Sequence, residues 1–118
     1  MTSPSARKGD VFERAVVGYL RDQFGPHLTR PRAGARSDRG DIAGIPGWTF
    51  ELKCYTDLAR AAREGLAELA VEQATAGTPY GAVILKRFGV TAPARQLVVM
   101  ELATAVPVIR ETATWGQP

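Results

Sequence analysis

Gly40-Asp41-Ile42-Ala43-Gly44-Ile45-Pro46-Gly47-Trp48-Thr49-Phe50-Glu51-Leu52-Lys53 is the stretch from which the fold follows. Ile45-Pro46-Gly47 has the chemistry of a three-residue hairpin loop, where Pro presets φ and Gly takes the left-handed position. With those residues as the loop, Gly44 pairs with Trp48 and Asp41 falls opposite Glu51. Side chains alternate along a strand, so Thr49, Glu51 and Lys53 share one face, and Trp48, Phe50, Leu52 and Cys54 share the other. The apolar face is expected to meet the core, and the polar face carries two carboxylates beside a lysine. Like charges directly opposite each other destabilise a hairpin unless something offsets them. A divalent cation does so, and Mg²⁺ takes one or two carboxylates when it also binds phosphate. A solvated surface hairpin shows the same alternation, and a slip of one residue sends Asp41 to the other face.

Upstream, the apolar spacing of Val11, Phe12, Ala15, Val16, Tyr19 and Leu20 predicts a helix over 9–23, after a loose arm at 1–7. Phe24-Gly25-Pro26 ends it. Glu13 borders the stripe, where an acid either points along the sheet towards the carboxylates or lies on the surface near the helix N-terminus. A short strand is expected at 27–33. The run Arg30-Pro31-Arg32-Ala33-Gly34-Ala35-Arg36-Ser37-Asp38-Arg39-Gly40 then places four arginines just before Asp41. Residues 1–40 hold eight Lys or Arg against four acids, and residues 41–118 hold seven against eight. Twelve of the fifteen cations are Arg, whose rigid fork suits phosphate oxygens. The loop therefore reads as a tracker of a nucleic-acid backbone.

Downstream, strands are expected at 41–45 and 48–55. A second helix should follow, capped by Thr56 or Asp57 and running to about residue 75, closed by Gly77 and Pro79. Its inward face would be Leu58, Ala62, Leu66, Leu69 and Gln73, the last either reaching the carboxylates or ending the helix as a polar residue. The apolar runs in 80–86 and 96–102 predict central strands covered on both faces. Lys86 and Arg87 emerge where the first of these ends and would join the basic surface. The tail, 103–118, has no clear assignment because Pro107 disfavours a long helix.

At 118 residues the chain is expected to be one domain. No apolar run approaches a membrane span and no signal-peptide pattern opens the sequence. One cysteine excludes an internal disulfide and fits a reducing compartment, so a cytoplasmic location is expected, in a bacterial, archaeal or phage-infected cell. Cys54 reads as a small core residue, and one His with one Cys cannot build a zinc site.

An Asp on one strand and Glu-x-Lys on the next resembles the PD-(D/E)xK nuclease superfamily. Arg7-Lys8-Gly9-Asp10-Val11-Phe12-Glu13-Arg14 is similar to the opening of the small archaeal- and phage-type Holliday-junction resolvases, a basic Lys-Gly followed by a helical Glu. The resemblance spans about residues 7–102. Gly40 stands where the superfamily's name has Pro, and Gln73 lacks the Tyr four residues on that the RecB-like branch carries. The resemblance implies an α/β, restriction-endonuclease-like fold, a central mixed β-sheet flanked by α-helices. It implies a Mg²⁺-dependent endonuclease, with Mn²⁺ able to substitute, acting on four-way DNA junctions in recombination or repair as a homodimer. Asp41, Glu51 and the Leu52 backbone carbonyl would hold one or two metal ions, Lys53 would orient the attacking water, and Glu13 would position a water or complete a second metal site. Arg7, Lys8, Arg30, Arg32, Arg36 and Arg39 would hold the DNA backbone. Nucleases of the same type acting on flaps, single strands or restriction-type sites keep the same residues, whereas a non-catalytic binding module would usually have lost Asp41, Glu51 or Lys53, all of which are present.

Overall fold

The computed structural model describes residues 3–31 and 40–116. Arg32, Arg36 and Arg39 lie outside the described residues. Helix α1 spans Pro4–Phe24, strand β1 Trp48–Lys53, helix α2 Leu58–Ala76, strand β2 Tyr80–Leu85, strand β3 Leu97–Val99 and helix α3 Leu102–Thr112. The three strands form one mixed sheet in the order β1-β2-β3. β1 and β2 run parallel, with Glu51 opposite Val83 and Lys53 opposite Leu85. Parallel neighbours need a crossover, which α2 supplies. β3 returns antiparallel, pairing Val83 with Val99 and Leu85 with Leu97.

Alternation on the two inner strands sorts the core into two layers. Phe50, Leu52, Cys54 and Ile84 pack with Phe12, Val16 and Val17 of α1, together with Leu28 and Ile42. Val83 and Leu85 pack with Ala61 and Leu69 of α2. The sheet is therefore covered by α1 on one face and α2 on the other. Each large aliphatic or aromatic side chain removed from water in this way contributes about 1.5–3 kcal/mol.

α1 starts earlier than the apolar spacing predicts, and residues 4–7 are helical instead of forming an arm. The reason is local: Pro4 opens the helix and the Ser3 hydroxyl accepts a hydrogen bond from the Ala6 N–H at 3.1 Å. Its buried side is Phe12, Val16 and Val17, whereas Val11 is exposed. Gly25 closes it, its N–H donating to the Arg21 carbonyl at 2.8 Å.

The segments expected as strands at 27–33 and 41–45 reduce to single antiparallel bridges, Thr29 with Ala43 and Ile42 with Phe50. The second bridge keeps the expected hairpin register. Gly40, with φ +94°, breaks the ladder on that side, and a Cβ there would stand 2.9 Å from the Phe50 carbonyl oxygen. No Pro can adopt that φ, so the Gly that departs from the superfamily's pattern is required by this backbone.

α2 is capped as expected, by the Asp57 carboxylate at its start and by left-handed Gly77 at its end. Its buried face is the expected one in part: Leu69 is buried and Ala62 and Leu66 pack half-buried against it. Ala61, Gly65, Leu69 and Glu72 turn inward, while Leu58 is exposed. Small residues bring the helix close to the sheet: a Cβ on Gly65 would lie 2.6 Å from Val83 Cγ1.

β2 is central and buried as its apolar run predicts. β3 is not: it is a three-residue edge strand with Leu97 and Val98 exposed. The tail forms α3 despite Pro107, with the Glu101 carbonyl accepting from the Thr104 and Ala105 N–H groups at 3.0 and 3.1 Å. No helix among the described residues is long and apolar enough to cross a membrane.

Candidate active site

β1 presents Thr49, Glu51 and Lys53 to α2, as alternation demands, but this polar face is enclosed by the helix. Glu51 is only 4 % exposed. A solvated charged pair on a surface hairpin is thereby ruled out for Glu51 and Lys53. Asp41 arrives from the segment before the hairpin turn, and its Oδ2 accepts a hydrogen bond from the Leu52 N–H at 2.8 Å. The N–H and C=O of one strand residue point to the same edge, so the Leu52 carbonyl faces the Asp41 edge, away from β2.

The Asp41 and Glu51 side chains are hydrogen-bond neighbours, and Glu72 of α2 is a second such neighbour of Glu51. Glu51, Glu68 and Glu72 each offer a carboxylate oxygen within 4.8 Å of the other two. Glu68 and Glu72 are four residues apart and therefore share one face of α2. The Lys53 ammonium is bound to both Glu68 oxygens at 2.8 Å and lies 5.3 Å from the centre of the Tyr55 ring.

The charge balance of this cluster shows in its protonation. Burial first, then hydrogen bonds and charge from Asp41 and Glu72, push the Glu51 carboxyl from 4.5 up to about 11. Burial also pushes Glu72 up, while its hydrogen bond with Glu51 acts the other way. Both carboxyls are thus held above the ordinary carboxylate range. For Lys53, burial works to lower the ammonium's pKa, but the hydrogen bond and charge of Glu68 outweigh it and hold it above its ordinary value. Glu51 Oε2 and Glu72 Oε2 are buried without a hydrogen-bond partner. Buried carboxylate oxygens are costly when unpaired. The donor set, all hard oxygens from carboxylates, fits Mg²⁺ or Mn²⁺.

Of the expected site residues, the fold brings Asp41, Glu51, Lys53 and the Leu52 backbone together. Glu13 is placed elsewhere, on α1 across the sheet, where Arg30 lies 3.5 Å from its carboxylate. It borders a cleft of about 580 Å³ that Lys8, Lys53, Cys54 and Arg60 also line. Arg30 does not extend freely to the surface, because it also pairs with Asp10 at 2.7 Å. Arg7 and Lys8 are exposed on α1.

Gln73 does not reach the carboxylates; its amide donates to the Thr78 carbonyl at 3.3 Å and closes the end of α2. Lys86 folds back on the following loop, donating to the carbonyls of Arg87 and Val90. Arg87 does the same towards Arg95, at 3.2 Å. Lys86 nevertheless lines one cavity with Arg7 and Lys8. Cys54 is half-buried as expected, and burial raises its thiol.

Glu68 and Glu72 are the members that the hairpin pattern does not reveal. The available signal was the small-residue side of α2, Ala61 and Gly65, which continues into Glu68, Leu69 and Glu72 at helical spacing. The chain matches no family model, no curated protein and no solved structure.

Proposed function

We propose that this chain is a divalent-metal-dependent DNA endonuclease of the PD-(D/E)xK type, with a restriction-endonuclease-like arrangement and four-way junctions as its substrate. The observation that carries the reading is the contact of Asp41 with a Glu51 that is 4 % exposed and has an unpartnered oxygen, on the strand that also presents Lys53. Acid, acid and lysine from the predicted positions thus converge at a place where a cation satisfies an unmet need. A bound divalent cation supplies charge neutralisation on the phosphate and a lower pKa for water.

This chain's own residues do the rest. Asp41 and Glu51 hold the ion, and the Leu52 carbonyl points to the edge where it can add a ligand. Lys53, kept charged by Glu68, orients the attacking water and faces the negative charge that grows on the phosphoryl oxygens. The cleft beside it, with Lys8 and Arg60 on its wall, receives the DNA backbone. Glu13, which borders that cleft, pairs with Arg30 at 3.5 Å. Contacts of this kind read charge and shape, not base sequence, and weaken steeply with salt. A homodimer would set two sites against opposing strands, and Val98, Leu102, Ile109 and Trp115 are exposed apolar residues for such an interface to bury.

The test is nicking of a labelled immobile four-way junction against a linear duplex of the same arm sequences, with and without Mg²⁺, alongside Glu51→Ala. Paired symmetric nicks on the junction alone, lost in the variant, support the resolvase. Equal cutting of duplex or single strands keeps the nuclease and discards the junction. No cutting in Mg²⁺ or Mn²⁺ leaves a binding module.

A further inference from the structure

The cluster between β1 and α2 holds more acid than the hairpin provides, and its geometry assigns a ligand from the helix. We propose that Glu72 binds directly to the divalent cation held by Glu51, so that the ion sits between β1 and α2 with Glu13 outside its coordination sphere. This rests on the reading that Glu51 is a metal ligand.

Three observations carry it. Glu51 and Glu72 are 4 % and 7 % exposed, and each retains an oxygen that no hydrogen bond reaches. The carboxylate oxygens of Glu51, Glu68 and Glu72 lie within 4.8 Å of one another. Oxygens on opposite sides of one Mg²⁺ are about 4.2 Å apart, so small side-chain rotations bring the set to bonding distance. Glu13, by contrast, belongs to the helix that packs on the Leu52 and Ile84 face of the sheet. Glu51 lies on the other face, opposite Val83. The helix approach is built in by Gly65, which sets α2 against Val83 and the Lys53 stem. Glu68 then stays with Lys53, one turn from Glu72, and keeps the ammonium at the edge of the ion's site.

The experiment is calorimetric titration of the full chain with Mn²⁺ alone, on the wild type, Glu72→Gln, Glu13→Gln and the control Glu64→Gln, which pairs with Arg60 on α2. Glu72→Gln is expected to weaken Mn²⁺ binding at least tenfold. Glu13→Gln and Glu64→Gln are expected to stay within about twofold of the wild type. Thermal melts in EDTA check that each variant is folded, and Glu72→Asp, which keeps the charge on a shorter stem, should recover part of the affinity if the ligand role is right.

Wild-type affinity in a folded Glu72→Gln overturns the proposal, as does a loss in Glu13→Gln that equals the loss in Glu72→Gln. Absence of Mn²⁺ binding by the wild type overturns it together with the metal-dependent nuclease. Glu72-dependent Mn²⁺ binding in a protein that cuts no DNA sustains the site and overturns only the nuclease.

Discussion

Replacing Glu51 by Gln should stabilise the metal-free protein, the opposite of what removing a buried polar contact usually does. The Glu51 carboxyl is held near 11 in the folded chain against 4.5 for an ordinary Glu, so at neutral pH it folds only by taking up a proton. A raised folded pKa contributes stability in full below about 4.5 and loses it as pH rises towards the folded value. At pH 7 the unfolded carboxylate must be protonated about two and a half units above its own pKa. At about 1.4 kcal/mol per unit this costs about 3 kcal/mol. That figure depends only on the folded pKa exceeding 7, not on its distance above it.

Gln has the shape of the protonated acid and donates to Glu72 as it does, without needing the proton. Glu51→Gln should thus melt about 10 °C above the wild type at pH 7 in EDTA. The gap should narrow by about 1.4 kcal/mol per unit on acidification and close near pH 4.5. A cation at a hundredfold excess over its Kd adds about 2.7 kcal/mol to the wild type, so Mg²⁺ should shrink the gap at pH 7. Melts followed by far-UV circular dichroism across pH 4.5–8 provide the measurement. A variant that melts at or below the wild type in EDTA at pH 7, or a gap that ignores pH, would refute the buried shared proton.

Three further outcomes follow from the packing and the site. Gly65→Val places new atoms where Val83 already stands, 2.6 Å from a Cβ, and should cost about 1–3 kcal/mol in urea unfolding. Leu28→Ala empties a fully buried position in the α1 layer and should cost about 2–5 kcal/mol by the same assay. Lys53→Met keeps the stem and removes the charge: cleavage should fall by at least about a hundredfold while junction binding in Ca²⁺, read by gel shift, changes little; parallel loss of both would make Lys53 a binding residue.

The hairpin was legible because its determinants are local. Pro46-Gly47 sets the turn, alternation sets the face, and the Ile42–Phe50 bridge keeps the expected register. The ends of α2 were legible for the same reason, since Asp57 and Gly77 cap by their own chemistry. The inward face of α2 was legible only in part: Leu69, Ala62 and Leu66 pack inward as read, but Ala61, Gly65 and Glu72 are buried as well. Periodicity was read from the largest apolar residues, but helix-to-sheet distance rewards the smallest ones, and Ala61 and Gly65 win because they let the backbone approach. That choice rotates the helix and carries Glu72 inward. β3 escaped in the same manner: Leu97-Val98-Val99 has the composition of a central strand, yet nothing among the described residues covers its outer face. Glu13 lies on α1, which packs on the Leu52 face, yet it borders the same cleft as Lys53, a placement that only the tertiary arrangement decides.

Buried Glu51 and Glu72, half-buried Asp41 and exposed Glu68 meet the Lys53 ammonium. Lys53 is already committed to Glu68 at 2.8 Å, which leaves three acids with no other positive charge beside them among the described residues. Such a group has two ways to balance. A proton on Glu51 removes one charge and is the cheaper solution in acid, but it leaves Oε2 of Glu51 and of Glu72 without partners. A divalent cation offsets two charges and supplies contacts for both oxygens, and it gains on the proton by a factor of ten for every unit of rising pH. The crossover between the two must therefore move to lower pH as cation concentration rises. A buried ion pair kept only for structure has no reason to behave in that way, because replacing its members with apolar residues is commonly neutral or stabilising. On the proposed reading, the excess of acid over base here is a seat for a cation and not a device for holding β1 against α2.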